Sequence, residues 1–398
     1  MFTLMLCLLL LPAFLAGCGG QPAGEEAAGP TEEITAPEVT AEPDKAAASP
    51  TPAPTPEPTP EMPVYRSPFT GEIVDEPVTV RPFTFNINNH PDAQPHHALN
   101  EAAIIYEAPT EGSVTRLQAL FPDIRSVGFI GAVRSMRTFY LDTGLSYGAV
   151  ICHAGGSDES YARIAGEHIE NLDGVRATYG FAPFFRDPRR MLRGWEHAMF
   201  TTGQEVWDLA ELQEYPLTLP EDYDCGLRFS EDGAAPDGED APELIAYFTN
   251  WKTTNLIYDP DTDRYFAWQE MMNSDIYDGN TGETVWFDNV LFLSVHTEHL
   301  DNMGHRTMYF TEGGPGVWAC GGKAVSIQWR QDEDYGPFRY TTEDGSDVLL
   351  RPGRTYIALI PNKDAYIPGH YEVLSERASD YAPRTHEPEE IVVGQYSQ

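Results

Sequence analysis

Three arginines whose spacing could bind an anion stand out in this sequence. Arg134 and Arg137 lie three residues apart at the start of a segment that we expect to be helical, and Arg116 ends an earlier strand-like segment. Residues three apart share one face of a helix, and a helix start favours negative charge. Ser135 would add a hydroxyl. Because guanidinium groups bind phosphate and carboxylate through forked hydrogen bonds, these four residues predict an anion site.

A structural interpretation of the same arginines stays open beside this one. They could instead form salt bridges with acidic side chains nearby in the sequence, for which Glu107, Glu111 and Asp142 are the candidates. Glu107 also ends a strand-like segment near the same edge, so it is the better candidate for a catalytic base. A partner for the arginines is the alternative role for this carboxylate.

The segment His153-Ala-Gly-Gly-Ser157 is the second candidate site. It places a strand before a Gly-Gly turn and a helix start, where α/β proteins often bind ligands. Backbone N–H groups at Gly155 and Gly156 could approach an anion, and His153 could act as an acid or a base. Two acidic residues at the helix start argue against phosphate binding. Ser157 is equally well explained as a helix N-cap.

Three other groups of polar residues are weaker candidates for a ligand or metal site. Asn88 lies at a polar strand end, where it could orient a ligand or close a turn. His90, His96 and His97 with Asp92 resemble metal ligands, but this proline-containing loop is expected to be exposed. Residues 259–263 match part of a calcium loop and lack its required glycine, which favours a hairpin turn. We expect no metal and no cofactor. The sequence contains no nucleophile elbow, phosphate-binding loop or dinucleotide fingerprint, and it leaves open whether the protein is an enzyme.

The sequence patterns predict that these residues lie in the first of two folded regions. Residues 64–215 predict a mixed α/β (α+β) domain, with strands at 83–88, 103–107, 114–121 and 147–153 and helices at 136–145, from 157, and at 203–215. Residues 216–242 are rich in Pro, Gly and Asp and predict a linker or loop. Residues 243–398 predict a β-rich domain, with strands at 244–248, 255–258, 264–268, 290–295, 324–329 and 355–360.

The amino-terminal segment predicts a lipid anchor. Residues 1–18 combine a short apolar run with Leu15-Ala-Gly-Cys18, the pattern of a lipoprotein signal peptide, so Cys18 is the expected lipidation site. Residues 19–63 are rich in Pro, Ala, Glu and Thr and predict an extended tether without a core. This pattern predicts a protein held by lipid at the extracytoplasmic face of the cell membrane.

Charge and cysteine content argue against two classes of protein, nucleic-acid-binding proteins and disulfide scaffolds. The chain has 25 Lys and Arg residues against 62 Asp and Glu residues, a formal net charge of −37. Such a field repels a phosphate backbone, so nucleic-acid binding is not expected. Cys152, Cys225 and Cys320 remain after the anchor segment, and three thiols allow at most one disulfide, too few for a disulfide scaffold.

Several motifs occur in an order that resembles a known family. They are Phe85-Asn-Ile-Asn-Asn-His-Pro91, Ala103-Ile-Ile-Tyr-Glu107, Thr110-Glu-Gly-Ser-Val-Thr-Arg116, Ile130-Gly-Ala-Val-Arg-Ser-Met-Arg137, His153-Ala-Gly-Gly-Ser157, Gly322-Lys-Ala-Val-Ser-Ile-Gln-Trp329 and Leu350-Arg-Pro-Gly-Arg-Thr-Tyr-Ile357. The sequence resembles the YerB-like lipoproteins, whose two parts form domain of unknown function 3048, over nearly all of residues 66–362. Ala132 and Met136 stand where that family pattern has Pro and Ala. The resemblance implies a two-domain lipoprotein and no specific activity.

Two functional hypotheses follow from the sequence. The first is an anion-binding site, in which the three arginines hold a phosphate- or carboxylate-bearing ligand of the cell envelope, such as a cell-wall glycan or a lipid-linked precursor, and Glu107 or His153 would act as base. The second is a scaffold that binds an envelope protein through its β domain, where four tryptophans, Trp268, Trp286, Trp318 and Trp329, could supply an aromatic face. A pocket lined by polar residues would favour the first hypothesis.

Overall fold

The computed structural model describes residues 63–176, 179, 183–269, 274–363, 369–378 and 381–393. In the first region, up to residue 215, the described residues form ten strands and three α-helices, and several short 3-10 turns connect them. The strands are β1 (Tyr65–Arg66), β2 (Ile73–Val74), β3 (Phe83–Asn88), β4 (Ile104–Pro109), β5 (Thr115–Phe121), β6 (Phe129–Gly131), β7 (Val150–His153), β8 (Asn171–Asp173), β9 (Phe185–Arg186) and β10 (Met199–Thr202). The helices are α1 (Thr138–Leu145), α2 (Asp158–Glu167) and α3 (Gly203–Leu212).

The second region consists almost entirely of strands. They are β11 (Glu239–Asp240), β12 (Glu243–Tyr247), β13 (Thr253–Asp259), β14 (Arg264–Gln269), β15 (Ser274–Asp275), β16 (Trp286–Phe287), β17 (Asn289–Val295), β18 (Thr297–His299), β19 (Arg306–Met308), β20 (Gly314–Cys320), β21 (Lys323–Gln331), β22 (Phe338–Thr342), β23 (Thr355–Pro361) and β24 (His370–Leu374). The predicted fold class, a mixed α/β region followed by a β-rich region, is confirmed.

The longest sheet has eleven strands and runs through both regions. Its order is β11-β21-β20-β17-β23-β4-β5-β3-β7-β8, and β22 also pairs with β21. Strand β23 lies parallel to β17 on one side and to β4 on the other. Strands β3, β7 and β8 are also parallel, and the other pairs are antiparallel. Strands from residues 64–215 and 243–398 therefore share one sheet.

The described residues also form four smaller sheets, two of which are the two-stranded pairs β1-β2 and β18-β19. A six-stranded antiparallel sheet has the order β15-β14-β13-β12-β24, with β16 paired to β14. Its hairpin between β13 and β14 closes at Asp259 and Arg264, so residues 259–263 form the turn that the sequence favoured over a calcium loop. A three-stranded sheet has the order β6-β10-β9 and carries residues of the candidate site.

The central strands of the eleven-stranded sheet are buried on both faces. Successive side chains of a strand point to opposite faces, and in β17 Val290 and Phe292 join one apolar core while Leu291 and Leu293 join another. The first core also contains residues of the six-stranded sheet, namely Leu244, Leu256 and Tyr265. The second core contains residues of α1, namely Phe139, Tyr140 and Leu141. Burial on both faces explains why the central strands read as continuous apolar runs.

Two of the three described α-helices begin at a residue whose side chain caps the helix. Ser157 caps α2, since its Oγ accepts a hydrogen bond from the Ser160 N–H at 3.2 Å. Thr202 caps α3 in the same way through the Glu205 N–H at 3.3 Å. No described helix is both long and apolar enough to span a lipid bilayer. The three cysteines of the described residues are buried and free of disulfides.

Substitution of Gly203 tests the close approach of α3 to the turn before β6. A Cβ at Gly203 would overlap the carbonyl oxygen of Ile124 and lie 2.8 Å from that of Val127. We expect Gly203→Ala to lower the free energy of unfolding by about 2 kcal/mol or more, measured by urea denaturation. Gly166→Ala is the matched control, because that exposed helical glycine has open space around its Cβ position. It should raise stability by up to about 1 kcal/mol. Equal effects of the two substitutions would contradict this packing.

Candidate functional site

Glu111 precedes β5 and pairs with two of the three predicted arginines. The Arg116 guanidinium lies 2.8 Å from one Glu111 oxygen, and Arg137 Nε donates to the other at 3.0 Å. Burial alone would raise the pKa of Glu111, but the charge of Arg116 and the hydrogen bonds and charge of Arg137 lower this pKa well below its ordinary value. Both guanidiniums are almost fully buried. Arg116 and Arg137 therefore form salt bridges, the structural role that the sequence left open.

Arg116 also fixes the chain segment that carries Arg134. Its Nη1 donates to the carbonyl oxygen of Ser135 at 2.9 Å, and Asn86 Nδ2 donates to the same oxygen at 3.3 Å. The backbone N–H of Arg134 donates to the Asn86 carbonyl oxygen at 2.7 Å. Residues of β3 and β5 thus bind the main chain at Arg134 and Ser135, and these contacts set the position of Arg134.

The expectation that Arg134 and Arg137 share one face of a helix is wrong. Helix α1 begins at Thr138, and Arg137 is its N-cap residue with extended backbone angles of φ −129° and ψ 154°. Residues 134–136 form hydrogen bonds with neighbouring extended segments and so lie outside the helix. The two side chains consequently have different environments.

Arg134 lines an open cleft of about 330 Å³. Its guanidinium and the Ser135 hydroxyl form no hydrogen bond with any described residue, and the guanidinium has no ion pair within 4.0 Å there. Burial lowers the pKa of Arg134, while Glu196 and Glu111 oppose this shift. The cleft is lined by Val133, Arg134, Ser135, Ala154, Gly155, Gly156, Tyr161, Val175, Arg176, Arg186, Trp195 and Glu196. It therefore holds three arginines and a single acidic residue.

Arg176 and Arg186 reach the cleft from the segments after β8 and in β9. The Arg176 guanidinium lies 3.6 Å from the centre of the Tyr161 ring, and its ion pair with Asp158 is 3.9 Å long and exposed. Such exposed ion pairs contribute little. The Arg186 guanidinium lies 4.3 Å from the Trp195 ring centre, and its Nη1 donates to the Trp195 carbonyl at 2.5 Å. Burial and the charge of Arg134 lower the pKa of Arg186 to about 10, so it stays charged at neutral pH.

The Gly-Gly turn lies at the cleft, whereas His153 does not line it. Gly155 has φ +81°, the left-handed region that favours glycine, and its N–H donates to Asp173 Oδ1 at 2.9 Å. His153 is fully buried, with Nδ1 2.7 Å from the Gly155 carbonyl and Nε2 3.1 Å from Asn171 Oδ1. Both ring nitrogens are engaged. Gly155 and Gly156 thus shape the cleft wall, and Ser157 caps α2.

Asn88 binds the segment that carries the cleft residues Trp195 and Glu196. Its Nδ2 donates to the Glu196 carbonyl at 3.1 Å and lies 2.8 Å from His197 Nδ1. Its Oδ1 accepts from the His90 N–H at 3.1 Å, which fixes the orientation of the amide. Asn88 is almost fully buried, so it positions residues 195–197 and does not line the cleft.

Glu107 lies in a separate, buried polar cluster. Its carboxylate is fully buried and accepts hydrogen bonds from Asn89, Thr115, Thr254 and Tyr356 at 2.5 to 3.1 Å. None of these partners is an arginine, although both sequence interpretations placed Glu107 beside the anion site. The cluster joins β4 and β5 to β13 and β23.

Lys252 supplies a positive charge beside the Glu107 cluster. It is fully buried, and its Nζ donates to the Asn89 carbonyl at 3.2 Å and to Gln269 Oε1. Burial lowers its pKa to about 8, although the charge of Glu107 opposes the shift. A lysine that is half neutral near pH 8 couples the stability of the cluster to pH.

The predicted histidine cluster is arranged differently from the expectation. His96 and His97 are fully buried, which corrects their expected exposure in a loop. His90 and Asp92 instead approach His197, with donor atoms within 4.8 Å of one another. Because Asn88 Nδ2 donates to His197 Nδ1, the neutral His197 ring carries its proton on Nε2. In this form neither ring nitrogen of His197 has a free lone pair for a metal ion. A second group of similar spacing consists of Glu159, Asp301 and His305.

Arg176 and Arg186 were missed by sequence reasoning. A signal existed for Arg186, since Arg186, Arg189, Arg190 and Arg193 give four arginines within eight residues in a strongly acidic chain. No comparable signal marks Arg176, which reaches the cleft only because β8 ends beside β7. Cys18 and residues 1–62 lie outside the described residues, so the lipidation site and the tether stay predictions.

Glu111→Gln tests the double salt bridge. It would leave two buried guanidiniums without their anion, so we expect a loss of about 3 kcal/mol of unfolding free energy at pH 7. Because the pKa of Glu111 is lowered in the folded state, its contribution is present above its ordinary value of 4.5 and is lost as pH falls below it. The difference between wild type and variant should therefore shrink in acid, as followed by denaturant titration at several pH values. Glu231→Gln, at an exposed position, is the control; a pH-independent difference would argue against the pairing.

Lys252→Met tests the buried amine. Between its folded pKa of about 8 and its ordinary value of 10.5, Lys252 binds fewer protons in the folded protein than in the unfolded chain. This difference makes a contribution to unfolding free energy that rises with pH. We expect the variant to lack that rise when the two proteins are compared between pH 8 and 9.5 by urea denaturation. Other titrating groups affect both proteins equally, so the test is the difference between the two slopes of unfolding free energy against pH. Equal slopes would show that the pKa of Lys252 is not lowered in the folded protein.

Comparison with known proteins identifies the family. The model described as "Protein of unknown function (DUF3048) N-terminal domain" matches residues 69–216, and its C-terminal counterpart matches residues 244–357. A relative from Bacillus subtilis (strain 168), named "Putative lipoprotein YerB", is 27% identical over 305 residues, which cover 75% of this chain and 87% of the relative. The crystal structure of the YerB protein from Bacillus subtilis shares the fold, with a TM-score of 0.65 and 24% identity over 74% of this chain and 96% of that one. The chain therefore belongs to the DUF3048 family of proteins of unknown function and has both of its domains.

Proposed function

We propose that this chain is a lipid-anchored extracytoplasmic protein that binds a phosphate- or carboxylate-bearing ligand of the cell envelope in the Arg134 cleft. One observation carries the proposal. Three guanidiniums face a single cleft in a chain of net charge −37, and that of Arg134 forms no ion pair or hydrogen bond with the described residues. Arginines of acidic proteins normally pair with carboxylates, as Arg116 and Arg137 do here with Glu111.

The electrostatics of the cleft support an anionic ligand. Arg134 lies close enough to Arg186 to lower its pKa, so two like charges repel each other in a partly desolvated place. A bound anion would relieve this repulsion and accept charge-assisted hydrogen bonds from both groups. Glu196 and Asp158, the ion-pair partner of Arg176, offset two of the three positive charges, which leaves a local excess of about one.

The anchoring part of the proposal rests on different support. Residues 1–18 have the pattern of a lipoprotein signal peptide with Cys18 as the lipidated residue, and a relative of 27% identity is named as a lipoprotein. A protein tethered in this way would meet envelope glycans and lipid-linked precursors, many of which carry phosphate or carboxylate groups. The proposal concerns binding and assigns no reaction.

The scaffold hypothesis receives less support from the β region. Of the four tryptophans that could form an aromatic face, Trp318 and Trp329 are buried in the core. Trp286 lies between two guanidiniums, with those of Arg264 and Arg354 at 3.5 and 4.6 Å from its ring centre. These three rings therefore serve internal packing, whereas Trp268 is partly exposed, and partner binding through the β region stays a prediction.

Arg134→Ala tests the proposed site. We expect inorganic pyrophosphate to raise the melting temperature of the full chain and to bind Arg134→Ala ten- to a hundredfold more weakly, the loss of one or two charge-assisted hydrogen bonds. At 100 times its dissociation constant a ligand stabilises by about 2.7 kcal/mol, which thermal unfolding detects. Arg330→Ala is the control, because it removes one positive charge at an exposed position that does not line the cleft. Equal weakening by both substitutions would reduce the effect to net charge and overturn the proposal.

A further inference from the structure

The arginine cleft adjoins a second, smaller pocket. Val175, Arg186 and Trp195 line both spaces, so the two share a wall. The smaller pocket has a volume of about 130 Å³. Its remaining lining comes from Gly174, Phe184, Phe185 and Met199.

The lining of this pocket is apolar except at the shared wall. Phe184, Phe185 and Met199 are nearly buried and present only hydrocarbon, ring and thioether surface. A hydroxyl-rich group placed there would lose its hydrogen bonds to water and find a single guanidinium in return. An apolar group would bury its surface without this loss.

The size of the pocket limits the group that it can hold. An apolar cavity of about 150 Å³ is large enough to bind benzene. A space of about 130 Å³ therefore suits one aromatic ring or one branched group of five carbons. A long chain would extend past the pocket into solvent.

The wall between the two spaces is held in place by Arg186. Its guanidinium packs on the Trp195 ring and donates to the Trp195 carbonyl, so the ring and the charge are fixed together. Trp195 is still 52% exposed and Val175 47% exposed, which makes this wall an uncovered apolar surface beside a cationic cleft. A ligand that spans the wall would contact both kinds of surface at once.

We infer that the ligand is a phosphate ester whose phosphate lies against Arg134 and Arg186 and whose first apolar group, about the size of benzene, fills the adjoining pocket. The inference rests on the proposed anion binding and adds the class of ligand. Phosphate is favoured over carboxylate because its three terminal oxygens can accept hydrogen bonds from the Arg134 and Arg186 guanidiniums and from the Ser135 hydroxyl at once. Aryl phosphates and prenyl phosphates share this chemistry.

Four probes distinguish the ligand classes by isothermal titration calorimetry on the full chain. They are inorganic phosphate, glucose 1-phosphate, phenyl phosphate and dimethylallyl phosphate. We expect at least one of the two apolar esters to bind tenfold or more tightly than inorganic phosphate and glucose 1-phosphate. The tighter of the two identifies an aryl or a prenyl source. Equal affinity for all four would overturn this inference and leave the anion site standing, whereas no binding of any probe would overturn the proposed function as well.

A pair of variants ties the apolar preference to the pocket. Val175→Asn replaces exposed hydrocarbon at the shared wall with a neutral polar group, and it should reduce at least threefold the ratio of the dissociation constants for inorganic phosphate and the preferred apolar ester. Leu192→Asn makes the same kind of change at a residue that is 90% exposed and lines neither space, so the ratio should be unchanged. An unaltered ratio in Val175→Asn would place the apolar group elsewhere and overturn the assignment.

Discussion

The position of β23 is the constraint on which the rest of this structure depends. This strand comes late in the chain, yet it lies between β17 and β4 and is parallel to both. Parallel neighbours need long crossover connections, so the chain has to return from the second region to complete the first. Its residues alternate between the two cores, with Tyr356 and Ala358 in one and Ile357 and Leu359 in the other. The two regions that the sequence separates therefore share main-chain hydrogen bonds as well as side-chain packing.

The candidate site follows from how charges are distributed over this frame. Glu111 forms ion pairs with both Arg116 and Arg137, and Arg116 in turn donates a hydrogen bond to the Ser135 carbonyl. The supporting arginines are thereby separated from Arg134, which points into the cleft with Arg176 and Arg186. Buried, paired guanidiniums are well suited to fix a backbone segment, and a partly exposed, unpaired one is suited to bind a ligand. The same residue type thus has two different environments within four positions of the chain, since Arg137 is buried and paired and Arg134 lines the cleft.

Local patterns of the sequence predicted most elements but not the neighbours that decide the site. Strand β3 was predicted with its observed bounds, and α2 with its Ser157 cap, because alternation and capping are local signals. The start of α1 was placed two residues early, since hydrogen bonds of residues 134–136 to adjacent strands override their helical spacing. Glu107 was expected beside the arginines, as a base or as an ion-pair partner, because it ends a strand near the same edge, whereas its partners Thr254 and Tyr356 lie more than 140 residues away. Such contacts between distant segments leave no periodicity for a single sequence to show.

The ends of the long sheet have a consequence for the behaviour of the protein at high concentration. An open sheet of eleven strands could present unpaired main chain to another copy and associate edge to edge. Here β8 has only three residues, and β11 consists of the two exposed acids Glu239 and Asp240. Beside β11, the free edge of β22 is partly covered by its own chain, because the Val348 N–H donates to the Tyr340 carbonyl and the Thr342 N–H to that of Ser346. Edge strands that are short, charged or covered by their own chain offer few unpaired main-chain groups to another copy. A large sheet of this kind therefore need not promote fibrous aggregation.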